Sequence, residues 1–245
     1  MSPLSLKDLI RSVLPWKVYW KLLRTREKIR ALSSADDLTA LAKIYNTDKG
    51  WRHNYMPIYQ QWLAHHRIKP VKLLEIGVGG NDNPHSGGES LRMWKKFFAN
   101  GKITGIDIYD KFFLQEERIK IYKGPQQDGD FLHSVSAKEG PFDIIIDDGS
   151  HIQSHIIASF ETLFPLLAPG GLYVIEDTQT SYWESYGGSS KEMKTVNSAM
   201  NYFIDLVHEV NRAKWKNEEW ERERTAWGLS SIAFYRNLIL IKKDN

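Results

Sequence analysis

Residues 144–151 read Ile144-Ile145-Ile146-Asp147-Asp148-Gly149-Ser150-His151, and this stretch gives the clearest indication of the fold. A second apolar run, Leu172-Tyr173-Val174-Ile175, ends in the same way on the acidic pair Glu176-Asp177. Short unbroken apolar runs are typical of parallel strands that are buried on both faces of a sheet. Ligands of open α/β sheets bind beyond the carboxyl ends of the strands, where these acids fall. We therefore expect the acids to meet at one sheet edge and to bind a cation there.

Strand and helix patterns alternate on both sides of these runs. Earlier strand patterns cover Val71 to Ile76, Lys102 to Ile108 and Arg118 to Tyr122, and a hairpin pattern around Asn237 closes the chain. Parallel neighbours require crossover connections, so the alternation predicts an α/β fold with a doubly wound, mostly parallel, seven-stranded sheet. An antiparallel last strand is the arrangement of the Rossmann-like class I methyltransferases that use S-adenosylmethionine.

We expect an N-terminal helical extension over residues 1–45 and one methyltransferase domain over residues 46–245. Two long helices are predicted inside that domain, at Ser150 to Leu167 and at Lys191 to Lys214. The first of these helices would begin next to His151, directly after the strand that ends in acids.

Composition excludes several classes of function. The 245 residues include no cysteine, which excludes disulfides, zinc-thiolate sites and iron-sulfur clusters. The net charge of +3 is too small to favour a nucleic-acid partner. Apolar stretches of membrane-spanning length and a signal peptide are both absent from the sequence, so we expect a soluble, cytoplasmic protein.

The first 30 residues are the exception to this even charge distribution, with eight basic and two acidic side chains. Apolar residues recur there at helical spacing, first from Leu6 to Leu14 and then, after Pro15, from Trp16 to Leu23. We expect that such a helix packs either on its own domain or on a second subunit of a homo-oligomer. Peripheral contact of residues 1–30 with an anionic membrane is the alternative.

The predicted cofactor residues lie at successive strand ends. The turn Gly77-Val78-Gly79-Gly80 lacks the spacing that binds a dinucleotide pyrophosphate, which disfavours a nicotinamide cofactor. Glu75 adds a negative charge suited to a sulfonium ligand, and the Asp107 carboxylate can accept both hydroxyls of a ribose. The later polar residues that complete this pattern are Gln127 and Asp128, which could read an adenine edge, and Asp147. Together they predict a binding site for S-adenosylmethionine, although incidental acids of an α/β domain are the alternative.

The predicted metal ligands are Asp148, Glu176 and Asp177. Carboxylate oxygens without cysteine favour Mg²⁺, Mn²⁺ or Ca²⁺ over zinc. Successive strand residues point to opposite faces, so Glu176 and Asp177 can both bind the ion only if the backbone turns there. Capping of the following helices is the alternative role for these acids. His151 is the predicted general base, because the positive end of a helix macrodipole favours a neutral imidazole.

Four segments resemble the macrolide-sugar O-methyltransferases of mycinamicin and tylosin biosynthesis over roughly residues 45 to 190. They are Thr47-Asp48-Lys49, Gly87 to Trp94, Gly140 to His151, and Glu176 to Trp183. The resemblance implies metal-dependent transfer of a methyl group from S-adenosylmethionine to a sugar hydroxyl. It also implies cofactor contacts for Thr47, Ser90, Glu75, Gly77, Asp107 and Asp128, magnesium ligation by Asp148, Glu176 and Asp177, and a base role for His151.

We therefore expect a sugar O-methyltransferase that acts on a glycoside or glycan, either a natural product or a cell-surface saccharide. Tyr182, Trp183 and Tyr186 could stack on the sugar ring, or could simply pin their loop. The alternatives are an enzyme of the cephalosporin hydroxylase type, to which a looser similarity extends, and a non-catalytic cofactor-binding module recruited to a membrane.

Overall fold

The computed structural model describes residues 13–214 and 227–245. The chain forms two compact units, of which the first ends at Ala64 and the second runs from His65 to Asn245. The predicted domain boundary between residues 45 and 46 stays a prediction. Most of the first half of the predicted N-terminal helix, residues 6–12, lies outside the described residues.

The described part of the first unit is helical. Its α-helices are α1 (Trp16–Arg30), α2 (Leu38–Tyr45), α3 (Asp48–Trp51) and α4 (Met56–Leu63). Asp37 begins α2 because its carboxylate accepts the amide of Ala40 at 3.0 Å. Asn46 ends the same helix in the left-handed conformation, with its amide bonded to the carbonyl of Ala42.

A seven-stranded sheet organises the second unit, in the order β3-β2-β1-β4-β5-β7-β6. The strands are β1 (Lys72–Ile76), β2 (Lys102–Asp107), β3 (Ile119–Lys123), β4 (Ile144–Asp147), β5 (Leu172–Glu176), β6 (Leu229–Tyr235) and β7 (Leu238–Lys243). β1 to β5 are parallel, whereas β7 runs antiparallel between β5 and β6. The predicted doubly wound, mostly parallel sheet is confirmed, including the antiparallel closing hairpin.

Helices of the second unit connect the strands, and apolar residues of both fill the core. The α-helices of this unit are α5 (Glu89–Phe97), α6 (Gly129–Glu139), α7 (Gln153–Leu163) and α8 (Ala199–Asp205). Ile145 of β4, Ile175 of β5 and Phe160 of α7 belong to one fully buried cluster. Within the described ranges, the helices are either too short or too polar to cross a lipid bilayer.

Two predicted helices have different bounds in the structure. The helix after β4 begins at Gln153 and not at Ser150, because His151 adopts a left-handed backbone conformation with φ 58°. The predicted helix Lys191 to Lys214 is wrong. Ser198 begins α8 by accepting the amide of Asn201, and a 3₁₀ segment, Leu206–Lys214, follows it. The Asn201 side chain donates to the carbonyls of Met193 and Val196, which keeps the preceding residues in a loop.

Candidate active site

The carboxyl ends of β4 and β5 bring three polar side chains together. Asp148 follows the last residue of β4, Asp177 follows the last residue of β5, and these two strands are hydrogen-bonded neighbours. One carboxylate oxygen of each aspartate and one ring nitrogen of His151 lie within 4.8 Å of one another. The convergence predicted from the two acidic strand ends is therefore present for Asp148 and Asp177.

Distances inside this group leave space for a ligand. His151 Nε2 lies 3.9 Å from Asp148 Oδ1 and 3.9 Å from Asp177 Oδ2. Both distances exceed a direct hydrogen bond. The three side chains are between 18% and 24% exposed, so each is partly accessible to solvent. The two carboxylate oxygens lie within 4.8 Å of each other. Two hard oxygens this close together are a donor set that suits Mg²⁺.

The backbone turns where the two consecutive acids of β5 meet. Glu176 is the last residue of β5 and is buried, whereas Asp177 adopts the left-handed conformation with φ 52° and ψ 39°. This turn places Asp177 in the group with Asp148. Glu176 is not a member of the group that could hold a metal among the described residues. Its ligation of the metal stays a prediction.

The histidines of this segment separate into two environments. His151 lies two residues before α7 and not in its first turn, so the helix macrodipole acts on it less directly than predicted. His155 lies within α7, where its Nδ1 contacts the hydroxyl of Ser150 at 3.0 Å. His155 therefore helps to hold the loop before the helix and is not a member of the group formed by Asp148, His151 and Asp177.

Asp147 points into the protein interior. Gln126 Nε2 donates to its two carboxylate oxygens at 3.1 and 3.3 Å, and the hydroxyl of Tyr173 donates at 3.5 Å. Burial raises the pKa of Asp147 to about 7, although hydrogen bonds from Gly149 and Gln126 oppose this rise. Its predicted contact with the cofactor stays a prediction, and its described partners are protein groups.

Gln126 is a buried structural residue whose role no local sequence pattern predicts. Its buried Nε2 also donates to Ser159 Oγ at 2.9 Å, and its Oε1 accepts the amide of Ser150 at 2.6 Å. It thereby connects the segment after β3 to the loop that carries Asp148 and His151. The neighbouring Gln127 is exposed, and Asp128 caps α6 by accepting the amide of Phe131. Adenine contacts of Gln127 and Asp128 stay predictions.

Predicted cofactor residues of β1 and β2 occupy the adjacent part of the same sheet edge. Asp107 accepts the amides of Val78 and Tyr109 at 2.9 and 2.8 Å, which joins the loop after β1 to the loop after β2. Glu75 is fully buried within β1, and Ser90 lies in the first turn of α5. Thr47 begins α3 in the first unit, so its predicted contact with the cofactor stays a prediction.

Lys111 is a second residue that the sequence analysis missed. Its ammonium group is buried and donates to the carbonyls of Asn83 and Ser86 at 2.8 and 3.1 Å. Burial lowers the pKa of Lys111, although Asp107 opposes this shift. The lysine therefore fastens the glycine-rich loop after β1 to the segment after β2. Nothing in its local sequence identifies this long-range contact.

An aromatic segment begins five residues after Asp177, at Tyr182. Tyr182 and Trp183 are 39% and 49% exposed, and the rings of Trp183 and Tyr186 lie 5.8 Å apart between centroids. Exposed aromatic side chains offer a surface on which a sugar ring can stack. The predicted stacking role stays a prediction.

Comparisons with known proteins complete the description of this site. No protein-family model matches the chain. The sequence is 37% identical over 233 residues to the 8-demethyl-8-(2-methoxy-alpha-L-rhamnosyl)-tetracenomycin-C 3'-O-methyltransferase of Streptomyces olivaceus, covering 94% of this chain and 60% of that protein. It is 44% identical over 179 residues to the mycinamicin VI 2''-O-methyltransferase of Micromonospora griseorubida, covering 73% of this chain and 45% of that protein.

A solved structure is similar over most of the chain. MycE methyltransferase from the mycinamycin biosynthetic pathway, in complex with Mg, SAH and mycinamycin VI, superposes with a TM-score of 0.80 at 38% identity. The match covers 85% of this chain and 53% of MycE. The chain thus spans about half the length of the relatives it matches.

Proposed function

We propose that this chain, a homologue of the sugar O-methyltransferases of macrolide and tetracenomycin biosynthesis, transfers a methyl group from S-adenosylmethionine to a sugar hydroxyl. The observation that carries the proposal is the convergence of Asp148, His151 and Asp177 at the carboxyl ends of β4 and β5. These residues supply the carboxylates for a divalent ion and a nitrogen for proton removal. The acceptor is a glycoside, and the best-supported class is a glycosylated natural product.

In this proposal, Asp148 and Asp177 bind the metal ion, and that ion is Mg²⁺ or Mn²⁺. Their oxygens are hard donors, and the chain contains no thiol that would favour a softer metal. When bound, the ion supplies positive charge that stabilises the acceptor hydroxyl as it ionises. Glu176 remains the proposed third ligand, and its burial next to Asp177 would place this charge away from bulk water.

His151 removes the proton from the acceptor hydroxyl. Its ring nitrogen lies at the same distance from both aspartates, so a hydroxyl oriented by this group would lie within reach of the imidazole. The hydroxyl oxygen forms a bond to the methyl carbon while the sulfonium C–S bond breaks. The protein's contribution is mainly orientation of the two reactants, which can lower the barrier of such a transfer strongly.

The cofactor lies beyond β1 and β2 in this proposal. Asp107 uses two lone pairs for backbone amides and retains others for the ribose hydroxyls. Gly77 and Gly79, both with positive φ, shape the turn beside it. The remaining proposed contacts are those of Thr47, Glu75, Ser90, Gln127, Asp128 and Asp147.

The hydroxylase alternative receives no support from the donor set. Iron oxygenases of the facial-triad type use two histidines and one carboxylate. The group found among the described residues contains one histidine and two aspartates. The available donors therefore favour Mg²⁺ or Mn²⁺ over iron.

The proposed activity can be tested with labelled S-adenosylmethionine and a panel of polyketide glycosides, with Mg²⁺ or with chelator. We expect methylation that requires the metal, and that falls at least about 100-fold in Asp148→Asn and Asp177→Asn. Asp130→Asn, at an exposed position in the first turn of α6, is the matched control and should retain wild-type activity. Turnover that persists in chelator would contradict the role of the metal.

One exposed surface in the described part of α1 could serve either the predicted homo-oligomer or the predicted membrane contact of residues 1–30. Val18, Leu22 and Ile29 are exposed there, and the helix has six basic residues and one acidic residue. Light scattering of the purified chain tests oligomer formation. Sedimentation with anionic and with neutral vesicles tests membrane contact, since a basic helix binds only the anionic ones strongly.

A further inference from the structure

Gln153, the first residue of α7, uses its whole hydrogen-bonding capacity inside the protein. Its side chain is 1% exposed. Nε2 donates to the carbonyl of His151 at 3.1 Å and to Thr180 Oγ1 at 3.2 Å. Oε1 accepts from Ser181 Oγ at 2.8 Å and from the amide of Ala199 at 2.9 Å. An amide has two donor hydrogens and two acceptor lone pairs, so all four are occupied.

The donor side of this amide joins the two strand-end segments of the active site. Thr180 Oγ1 donates to the carbonyl of Asp177 at 3.0 Å, so the hydroxyl hydrogen is committed to Asp177. Its oxygen then receives the hydrogen from Gln153. One amide and one hydroxyl thus connect the main chain of His151 with the main chain of Asp177.

The acceptor side fixes the same amide to α8. Ser181 donates to Gln153 and accepts the amide of Met200 at 3.3 Å, while Ala199 donates its own amide to Gln153. Helix capping does not explain this glutamine, because Ile152 is the N-cap residue and makes no side-chain cap bond. Glutamine is seldom fully buried, and a half-satisfied buried amide would be unfavourable.

We propose that Gln153 is a positioning residue that fixes the main chain of Asp177, a proposed metal ligand, relative to His151, and thereby sets the affinity of the site for a divalent ion. This inference rests on the proposed function of that site. Gln153 acts through main-chain and hydroxyl groups and touches neither reactant. Partners that orient metal ligands in this way commonly change metal affinity by 10- to 100-fold when they are removed.

Gln153→Met and Thr180→Val test the inference, because each keeps the side-chain shape and removes the hydrogen bonds. Mn²⁺ is the probe, and its binding is followed by the electron paramagnetic resonance signal of the free ion. We expect the dissociation constant for Mn²⁺ to rise about tenfold in Gln153→Met and about threefold in Thr180→Val. The dissociation constant for S-adenosylhomocysteine should stay within about twofold, since the contacts of Gln153 lie beyond β4 and β5 and not at β1 or β2.

Ile156→Val is the matched control on the same helix, since it removes one buried methylene and should lower the unfolding temperature slightly. It should leave Mn²⁺ affinity unchanged. Thermal unfolding of all variants separates loss of folding from loss of positioning. If Gln153→Met does not fold, Thr180→Val alone decides the question.

The double variant adds a test of the connecting hydroxyl. If Gln153 acts on Asp177 through Thr180, the two effects on Mn²⁺ affinity are not additive. Wild-type Mn²⁺ affinity in folded Thr180→Val and Gln153→Met would overturn the inference and leave the proposed function standing. Absence of Mn²⁺ binding by the unsubstituted chain would overturn the proposed function and the inference with it.

Discussion

A Cβ atom on Gly77 would overlap the main-chain carbonyl oxygen of Asp148. The amide of Asp148 also donates to the carbonyl of Ile76 at 3.0 Å. The end of β1 and the segment that carries a proposed metal ligand are therefore packed backbone against backbone. This contact sets the position of Asp148 relative to the cofactor side of the sheet. The missing side chain of Gly77 makes room for this main-chain contact, and the predicted contact of Gly77 with the cofactor stays a prediction.

Gly77→Ala should therefore destabilise the protein and displace Asp148. The new methyl group meets a carbonyl that cannot move alone, and φ at this position is 90°. We expect a loss of about 2–4 kcal/mol in the free energy of unfolding, measured by denaturant titration. Gly129→Ala is the control, because its nearest neighbour would be Thr162 Oγ1 at 3.7 Å. A Gly77→Ala protein as stable as this control would contradict the packing described here.

His151→Ala should lower kcat by about 100- to 10,000-fold, the usual contribution of a general base. The dissociation constant for S-adenosylhomocysteine should hardly change. Rapid-mixing kinetics with saturating glycoside, together with calorimetry, measure the two quantities. His133→Ala, at an exposed position of α6, should behave as wild type. A parallel loss of cofactor binding would assign His151 a structural role.

Asp107→Asn should weaken binding of S-adenosylhomocysteine by about 10- to 100-fold. The carboxylate makes charge-assisted hydrogen bonds that an amide replaces only in part. Asp110→Asn is the matched control in the same loop, since Asp110 accepts the amide of Phe112 at 2.9 Å in a similar local turn. Calorimetric titration distinguishes the two variants. Equal affinities would place the ribose elsewhere.

Trp183→Ala should raise KM for the glycoside by about tenfold with a small effect on kcat. Removing an exposed ring deletes a stacking surface that binds substrate and transition state equally. Phe234→Ala on β6, where the ring is also partly exposed, is the control. Steady-state kinetics at saturating S-adenosylmethionine provide the comparison. An unchanged KM would favour the alternative role, in which Trp183 only pins its loop.

Glu139 gives a prediction for acid stability. Burial acts to raise its pKa, but hydrogen bonds from Lys120 at 2.7 Å and Tyr122 at 2.6 Å outweigh this effect, and the net shift is downward. A lowered carboxylate pKa contributes stability at neutral pH that is lost as the pH falls through the folded-state pKa. Glu139→Gln should therefore be less stable than wild type at pH 7, with the difference shrinking below about pH 4. Unfolding titrations across this range measure the difference, and a constant offset would contradict it.

Local sequence patterns predict the mostly parallel sheet, the acids at its strand ends, and the meeting of Asp148 with Asp177. These features depend on local patterns, because apolar runs set the buried strands and each run ends on its acids. Helix bounds were less accurate where a single conformation decided them, as at His151 and Ser198.

The side chains that hold these segments together become evident only from the folded structure. Gln126 bonds to Ser159, 33 residues away, and Gln153 bonds to Ala199, 46 residues away. Lys111 binds carbonyls of a loop 25 to 28 residues earlier in the chain. A buried amide or ammonium group bonds to whichever polar groups the fold brings close to it. Such partners are far apart in the sequence, so residue spacing does not predict them. The reactive side chains can therefore be identified from local sequence patterns. The distances between them in space depend on long-range contacts that form only in the folded protein.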